Sequence, residues 1–265
     1  MKRFLFSYLL VISLSACIYS QSFDGTYYGV YDDGEIGGDA IIKIEYGKIL
    51  ICIENDQYSG QTIKVEKEYE LVDFGPFMKL RLAVRDWLFL IWGKGFFISD
   101  TKGYYTFFSK APQTRTTVID NTWIISSTSY LREGETDYNA ARLMRVTGLP
   151  WTSGNGHGIG DRLIIDIGGV DLPMLIVNGF VSLNNPKLYF ENARLKTMRI
   201  SSKKTRKSKV VTIGDNASFQ KIEIRDIIEI GSPDEQLFLD VIDVYQGNKY
   251  NNLCIKTIIP DFSSK

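Results

Sequence analysis

The sequence predicts an all-β protein: a small antiparallel β domain followed by a β-sandwich. Three observations carry this. Apolar runs of five to ten residues recur along the chain, rich in Ile, Val, Tyr and Phe. Gly, Asn and Pro clusters punctuate them at short intervals. Helical periodicity is almost absent, with one short candidate over Tyr138–Arg145 (YNAARLMR) that stops before Gly148.

The first domain is read over residues 23–109. Ala40–Ile44 and Ile49–Ile53 are β-branched runs joined at Tyr46-Gly47-Lys48, a hairpin signal. Thr62–Leu71 alternates as TIKVEKEYEL. Lys79–Val84 places Leu80, Leu82 and Val84 on one face and Lys79, Arg81 and Ala83 on the other. Trp87–Trp92 is wholly apolar but far short of the ~20 residues of a spanning helix, so it reads as a buried strand. Gly93-Lys94-Gly95 and Thr101-Lys102-Gly103 then turn the chain through Phe96–Ile98 into Tyr104–Phe108. Short strands at this spacing suggest a meander or small barrel.

Residues 110–116 lie in a polar, aperiodic stretch with one proline (KAPQTRTT over Lys110–Thr117) and are assigned as a linker. The second domain is read over 117–262. Its strands are expected in Trp123–Ser129, LIIDI, MLIVNGFVSL, LKTMRIS, KVVTI, KIEIRDII, QLFLDVIDVY and CIKTII. Turns are expected at Gly168-Gly169, Asn184-Asn185-Pro186 and Gly231-Ser232-Pro233.

Three blocks of this second domain carry a family signal. They are TGLPWTSGNGHGIGDRLIIDI (Thr147–Ile167), MLIVNGFVSLNNPKLYFENARLKTMRIS (Met174–Ser201) and VIDVYQGNKYNNLCIKTI (Val241–Ile258). In this order they resemble the discoidin-like (F5/8 type C-like) module of bacterial NAD glycohydrolase toxins. The resemblance covers about residues 117–262. It implies a discoidin-like jelly-roll β-sandwich that serves translocation and glycan binding without performing chemistry. The toxins' catalytic part has no visible counterpart in the remainder of the chain.

The N-terminus adds an expectation of export. Lys2 and Arg3 precede an apolar segment, Phe4–Leu14, and Leu14-Ser15-Ala16-Cys17 forms a lipobox. The pattern is similar to that of bacterial lipoproteins, with residues 1–17 as signal peptide and Cys17 as the lipid-bearing residue at the cell envelope. Ser20–Ser22 then reads as a short tether. Hydrophobic residues make up 44 %, enough to bury real cores, and the 31 basic and 31 acidic residues cancel. No overall charge therefore draws the chain to nucleic acid. Cys52 and Cys254 each sit in an apolar run of a different domain and are read as buried free thiols rather than a disulfide.

Catalytic chemistry finds little support, so the chain is read as a non-enzyme with no cofactor and no metal. His157 is the one histidine, and no nucleophile elbow accompanies it. Zinc needs clustered His, Cys or carboxylates at short spacing, which the sequence does not offer. Gly154–Gly160 (GNGHGIG) departs from G-x-G-x-x-G and precedes a strand, so it lacks the helix N-terminus of a phosphate cradle. It reads as a close-packed loop.

The candidate ligand residues are Trp151, Asn155, His157, Tyr250, Asn251 and Asn252. An exposed tryptophan stacks on sugar rings, and asparagine amides bridge hydroxyls as donor and acceptor together. Against this, Trp151 fits equally as a plug for one end of the barrel, and Tyr250 with its asparagines as a tight turn. Val244–Cys254 reads VYQGNKYNNLC where the family has V-Y-P-G-x-K-Y-D-D-T-C. Gln246 replaces the proline, and Asn251 and Asn252 replace two acids, which weakens any calcium reading. The basic stretch Lys203–Lys209 reads as a solvated hairpin tip or as a site for an anionic glycan or headgroup. Two roles compete: carbohydrate recognition or adhesion, and docking of an envelope protein.

Overall fold

In the computed structural model the described residues are 24–32, 37–46, 48–57, 59–73, 78–82, 86–92, 95–99, 105–109, 123–144 and 149–261. Cys17, the Ser20–Ser22 tether and the 110–116 linker lie outside them.

The first eight strands form a closed antiparallel barrel in sequence order. They are β1 Gly25–Asp32, β2 Gly37–Glu45, β3 Lys48–Glu54, β4 Ile63–Asp73, β5 Met78–Leu82, β6 Asp86–Trp92, β7 Gly95–Ser99 and β8 Tyr105–Ser109. The pairing of Tyr28 with Ser109 closes the ring. Closure removes the free edges that a flat meander would leave for aggregation. Tyr27, Ile42 and Ile51 line the interior, and Ile42, Ile49 and Ile53 keep no accessible surface. At the level of β2 and β3 the barrel is therefore packed with side chains, not hollow.

The remaining long strands form one nine-stranded sheet that wraps around a core. One half contains β9 Ile124–Ser127, β13 Arg162–Asp166, β18 Gln236–Tyr245, β15 Ala193–Ser202 and β16 Ser208–Thr212. The other contains β17 Phe219–Ile222, β14 Met174–Asn178, β19 Leu253–Pro260 and the short β12 Trp151–Thr152. The halves join where Ala193 and Arg194 run parallel to Leu253 and Cys254. Asn178 bridges them inside: its Nδ2 donates to Leu195 O at 2.7 Å and its Oδ1 accepts from Leu195 N–H at 2.9 Å. A buried amide satisfied at both ends costs little and fixes the register of two layers. A two-stranded ribbon, β10 Arg132–Glu133 with β11 Thr136–Asp137, flanks the sheet. The fold is thus the all-β arrangement expected, with a β-sandwich as its second part.

Two local differences stand out. The helical candidate at Tyr138–Arg145 is a 3₁₀ turn, Ala140–Met144, which buries Ala140, Leu143 and Met144. A segment this short cannot sustain an α-helix on its own, and packing selects the tighter turn. A one-turn α-helix, Leu188–Glu191, occupies a stretch that no periodicity marks.

Cys52 and Cys254 are free thiols. Burial pushes the Cys254 thiol up to about 12, so it stays protonated and unreactive at neutral pH.

Candidate ligand-binding end of the sandwich

Two neighbouring segments bring most of the expected residues to one end of the sandwich: the loop Ser153–Asp161 and the turn Gln246–Asn252. Leu253 couples them. Its N–H donates to Gly156 O at 2.9 Å, and its carbonyl accepts from Ser153 N–H at 2.9 Å. Gly158 packs directly on it: a Cβ there would lie 2.7 Å from Leu253 Cδ2, and φ is +71°, so a side chain is excluded twice over.

The loop is held from inside by Asp161, which is buried. Its Oδ2 accepts from Ser153 Oγ at 2.5 Å and Ser129 Oγ at 2.8 Å, and its Oδ1 accepts from Asn155 Nδ2 at 2.7 Å. Ser129 Oγ and Ser153 Oγ in turn accept the backbone N–H groups of Gly154 (3.1 Å) and Asn155 (3.0 Å). A buried carboxylate needs several donors to replace its water, and here neutral groups supply them. Asn155 is exposed at the surface, but its Nδ2 is committed to this network. His157 is exposed at the loop tip, where its Nδ1 accepts from Ile159 N–H at 3.3 Å.

Trp151 requires a correction. It is 0 % exposed, and its indole N–H donates to Ser129 O at 2.9 Å. Pairing of Trp151 with Ile255 places it in a strand at the heart of the domain, so its face offers nothing to a ligand. Of the two readings the sequence allowed, the structure fits the plug.

The turn is held from beneath. Asn248 N–H donates to Phe190 O (3.0 Å), and Lys249 and Tyr250 N–H donate to Glu191 O (3.2 and 2.7 Å). Gly247 permits this approach, since a Cβ there would lie 2.3 Å from Tyr250 O and 2.4 Å from Glu191 O. Asn252 O accepts from Ala193 N–H at 3.1 Å, while Asn251 is exposed. Tyr250 is 40 % exposed, with Lys249 Nζ 4.8 Å from its ring centre.

Behind the turn lies Arg194, 5 % exposed. Its Nε and Nη2 donate to Asp215 at 2.6 and 2.9 Å, and its Nη1 donates to Asn192 O at 2.8 Å and Gln246 O at 3.5 Å. The rings of Tyr189 and Phe190 stand 5.3 and 5.8 Å from the guanidinium carbon. Tyr189 O–H also donates to Asp215, at 3.2 Å. The Arg194 hydrogen bond holds the Asp215 carboxyl below its ordinary range, and burial pushes the Tyr189 hydroxyl up. One guanidinium thus ties together strand β15, the Leu188–Glu191 turn, Asp215 and the 246–252 turn.

Phe190, 48 % exposed, is the residue sequence reasoning missed. Its backbone meets the turn that carries Tyr250, so two exposed aromatic side chains share this end. The basic hairpin tip is less available than its composition suggests. Lys204 pairs with Glu229 (3.5 Å) and Asp234 (3.7 Å), Lys209 pairs with Asp226 (2.6 Å), and Lys203 donates to Gln236 (3.0 Å). Among the described residues no cluster of three or more His, Cys, Asp or Glu could hold a metal ion.

The sandwich and its loop-built end define a module of the discoidin-like, F5/8 type C class. Residues 116–261 match the family described as the NAD glycohydrolase translocation F5/8 type C domain, and the chain belongs to that family. The match leaves the β-barrel outside it. No curated protein and no solved structure matches the chain.

Proposed function

We propose that this protein is an exported, non-catalytic binding protein that recognises a carbohydrate through the loop and turn ends of its sandwich. A lipid on Cys17 would hold it at the cell envelope. The observation that carries the reading is the exposure of Tyr250 and Phe190 on segments joined by backbone hydrogen bonds, with exposed amides at Asn251 and Asn248 on the same turn. Sugar recognition uses this combination of an apolar ring face and donor–acceptor groups. His157 and the outward edge of Asn155 border the same end. Membership of a translocation family supports a binding role. It gives no support to a hydrolase.

The full-length protein on a glycan array tests this. Binding in the micromolar-to-millimolar range, roughly −4 to −8 kcal/mol, is expected for one such site. Tyr250→Ala should remove ~1–2 kcal/mol of it. The two exposed aromatic residues equally suit a protein partner. A chain that binds no glycan, but is captured from envelope extract by one protein in a Tyr250-dependent way, would transfer the site to docking.

A further inference from the structure

Many cations of the sandwich are neutralised by a carboxylate in close contact. Arg132 pairs with Asp137, Arg162 with Asp240, Arg194 with Asp215 and Lys196 with Asp243, each at 2.6 Å. Lys204 and Lys209 are paired in the same way at the hairpin tip.

The cations beside the two exposed aromatic residues differ. Lys249 precedes Tyr250, its side chain is 56 % exposed, and its Nζ stands 4.8 Å from the ring centre. Its ion-pair partner, Glu191, is 3.8 Å away and only 20 % exposed. An ammonium has several donors, and one contact at this range leaves donors open to solvent. A hydrogen bond to Tyr250 and the charge of Glu191 hold the Lys249 pKa above the ordinary lysine range, so it is charged at neutral pH. Phe190 has a lysine too. Its N–H donates to Lys187 O at 3.1 Å, and residues three apart on a helical turn share a face. Lys187 is exposed and makes no ion pair among the described residues.

The segments around the rings offer little open negative charge. In the turn 246–252 Lys249 is the one charged residue. In the loop 153–161 the one carboxylate, Asp161, is buried beneath Ser129, Ser153 and Asn155. Asp215 faces the Arg194 guanidinium. A ligand stacked on Tyr250 therefore meets an ammonium at its edge and no open carboxylate on that turn. A cationic ligand is repelled there and an anionic one attracted. Lysine is a point charge without the bidentate fork of arginine, so it accepts a carboxylate or a sulfate alike.

We infer that this end of the sandwich selects acidic sugars, with Lys249 reading a carboxylate or sulfate beside the ring stacked on Tyr250. Lys187, on the Phe190 segment, adds to the same positive field. The inference rests on the glycan reading above and narrows it to a class of ligand. An exposed ion pair contributes little in water, so Lys249 sets preference among glycans more than affinity.

A glycan array of matched sets tests this with the full-length protein. Lactose, chitobiose and mannobiose cores are each printed bare, with a sialic or uronic acid, and with a sulfate ester. Wild type should prefer the acidic members of a set by about fivefold at low salt, the usual strength of one exposed ion pair. The preference should shrink as salt rises to about 0.5 M, where screening acts within a few ångströms. Lys249→Gln should erase it and leave the bare cores bound as before. Tyr250→Ala should weaken every member alike. A gain on both kinds of acidic member supports a point-charge contact, and a gain on one kind supports it while identifying the group. Arg206→Gln together with Lys207→Gln, at the hairpin tip, should change nothing. Loss of the preference in that variant, with Lys249→Gln unaffected, would overturn the inference. So would equal binding of bare and acidic members, which leaves the glycan reading standing. Binding to no member defeats the glycan reading and this inference with it.

Discussion

The loop 153–161 and the turn 246–252 stand side by side, joined through Leu253, yet each is held by a different buried side chain. Asp161 accepts from the Ser153 hydroxyl and the Asn155 amide of its own loop and from the Ser129 hydroxyl of a neighbouring segment. The turn relies on Arg194, neutralised by Asp215 from a distant segment. The first device joins its own loop to one neighbouring segment, and damage to it should stay within that end. The second ties four segments together, so its loss should reach the fold. In both, the buried group holds its segment from beneath, and Tyr250 and Asn251 stay exposed above.

Asp215→Ala should have the largest effect. It strands the buried Arg194 guanidinium, and breaking such a pair typically costs about 3–5 kcal/mol. Because Asp215 is itself one-third open to solvent, the low end, ~3 kcal/mol, is expected in urea unfolding. Arg194→Met should cost clearly less, since the remaining carboxylate can hydrate. Equal costs would break the asymmetry. The pH dependence has a definite sign. Asp215 is held below 3.8 in the fold, so its contribution is full above 3.8 and disappears as pH falls through the lower folded value. A wild-type acid transition that is steeper than that of Asp215→Ala would show this.

Gly247→Ala comes next. The new methyl group meets the backbone of Tyr250 and Glu191, which cannot yield as a flexible side chain would. A loss of ~2 kcal/mol is expected, together with loss of ligand binding because Tyr250 is displaced. Unchanged binding would detach the turn from the site. Asn155→Asp sharpens the contrast from the other side. It replaces a donor 2.7 Å from Asp161 with a like charge. About 1–2 kcal/mol should be lost at neutral pH, with hydrogen exchange rising over 153–161 and not over 246–252. The smallest change belongs to Tyr250→Ala, within ~0.5 kcal/mol of wild type by thermal melting. Large destabilisation would make Tyr250 a packing residue and undo its assignment to the surface.

What the sequence made legible was periodic. The alternation in QLFLDVIDVY reads directly as β18, whose burial alternates for most of its length. Hairpin punctuation located β2 and β3. Barrel closure was not legible, because it depends on Tyr28 meeting Ser109 across the whole unit. Trp151 stayed ambiguous for a related reason: its burial comes from Ile255, a hundred positions away. The same distance hid Arg194. Nothing near it in sequence announces Asp215, and in a strand that also carries Lys196 and Arg199 it looks like any solvent-facing charge. Phe190 was passed over because its segment carries no period. The one available signal was the adjacent aromatic residues Tyr189 and Phe190, of which only Tyr189 is buried.

The position of β19 has a consequence for how the molecule is made. Residues 253–260 come last among the described strands, yet β19 lies inside the sheet, flanked by β14, β12 and β15. The barrel pairs only sequence neighbours until its closing contact, and such local topologies form quickly. The sandwich must wait. Until residues 253–260 have been synthesised, β14 has an unfilled edge and Trp151 has no partner strand, so the barrel can fold while the sandwich stays open. The nascent chain would pass through a half-folded state with an unpaired apolar edge, the stage at which a chaperone would find it.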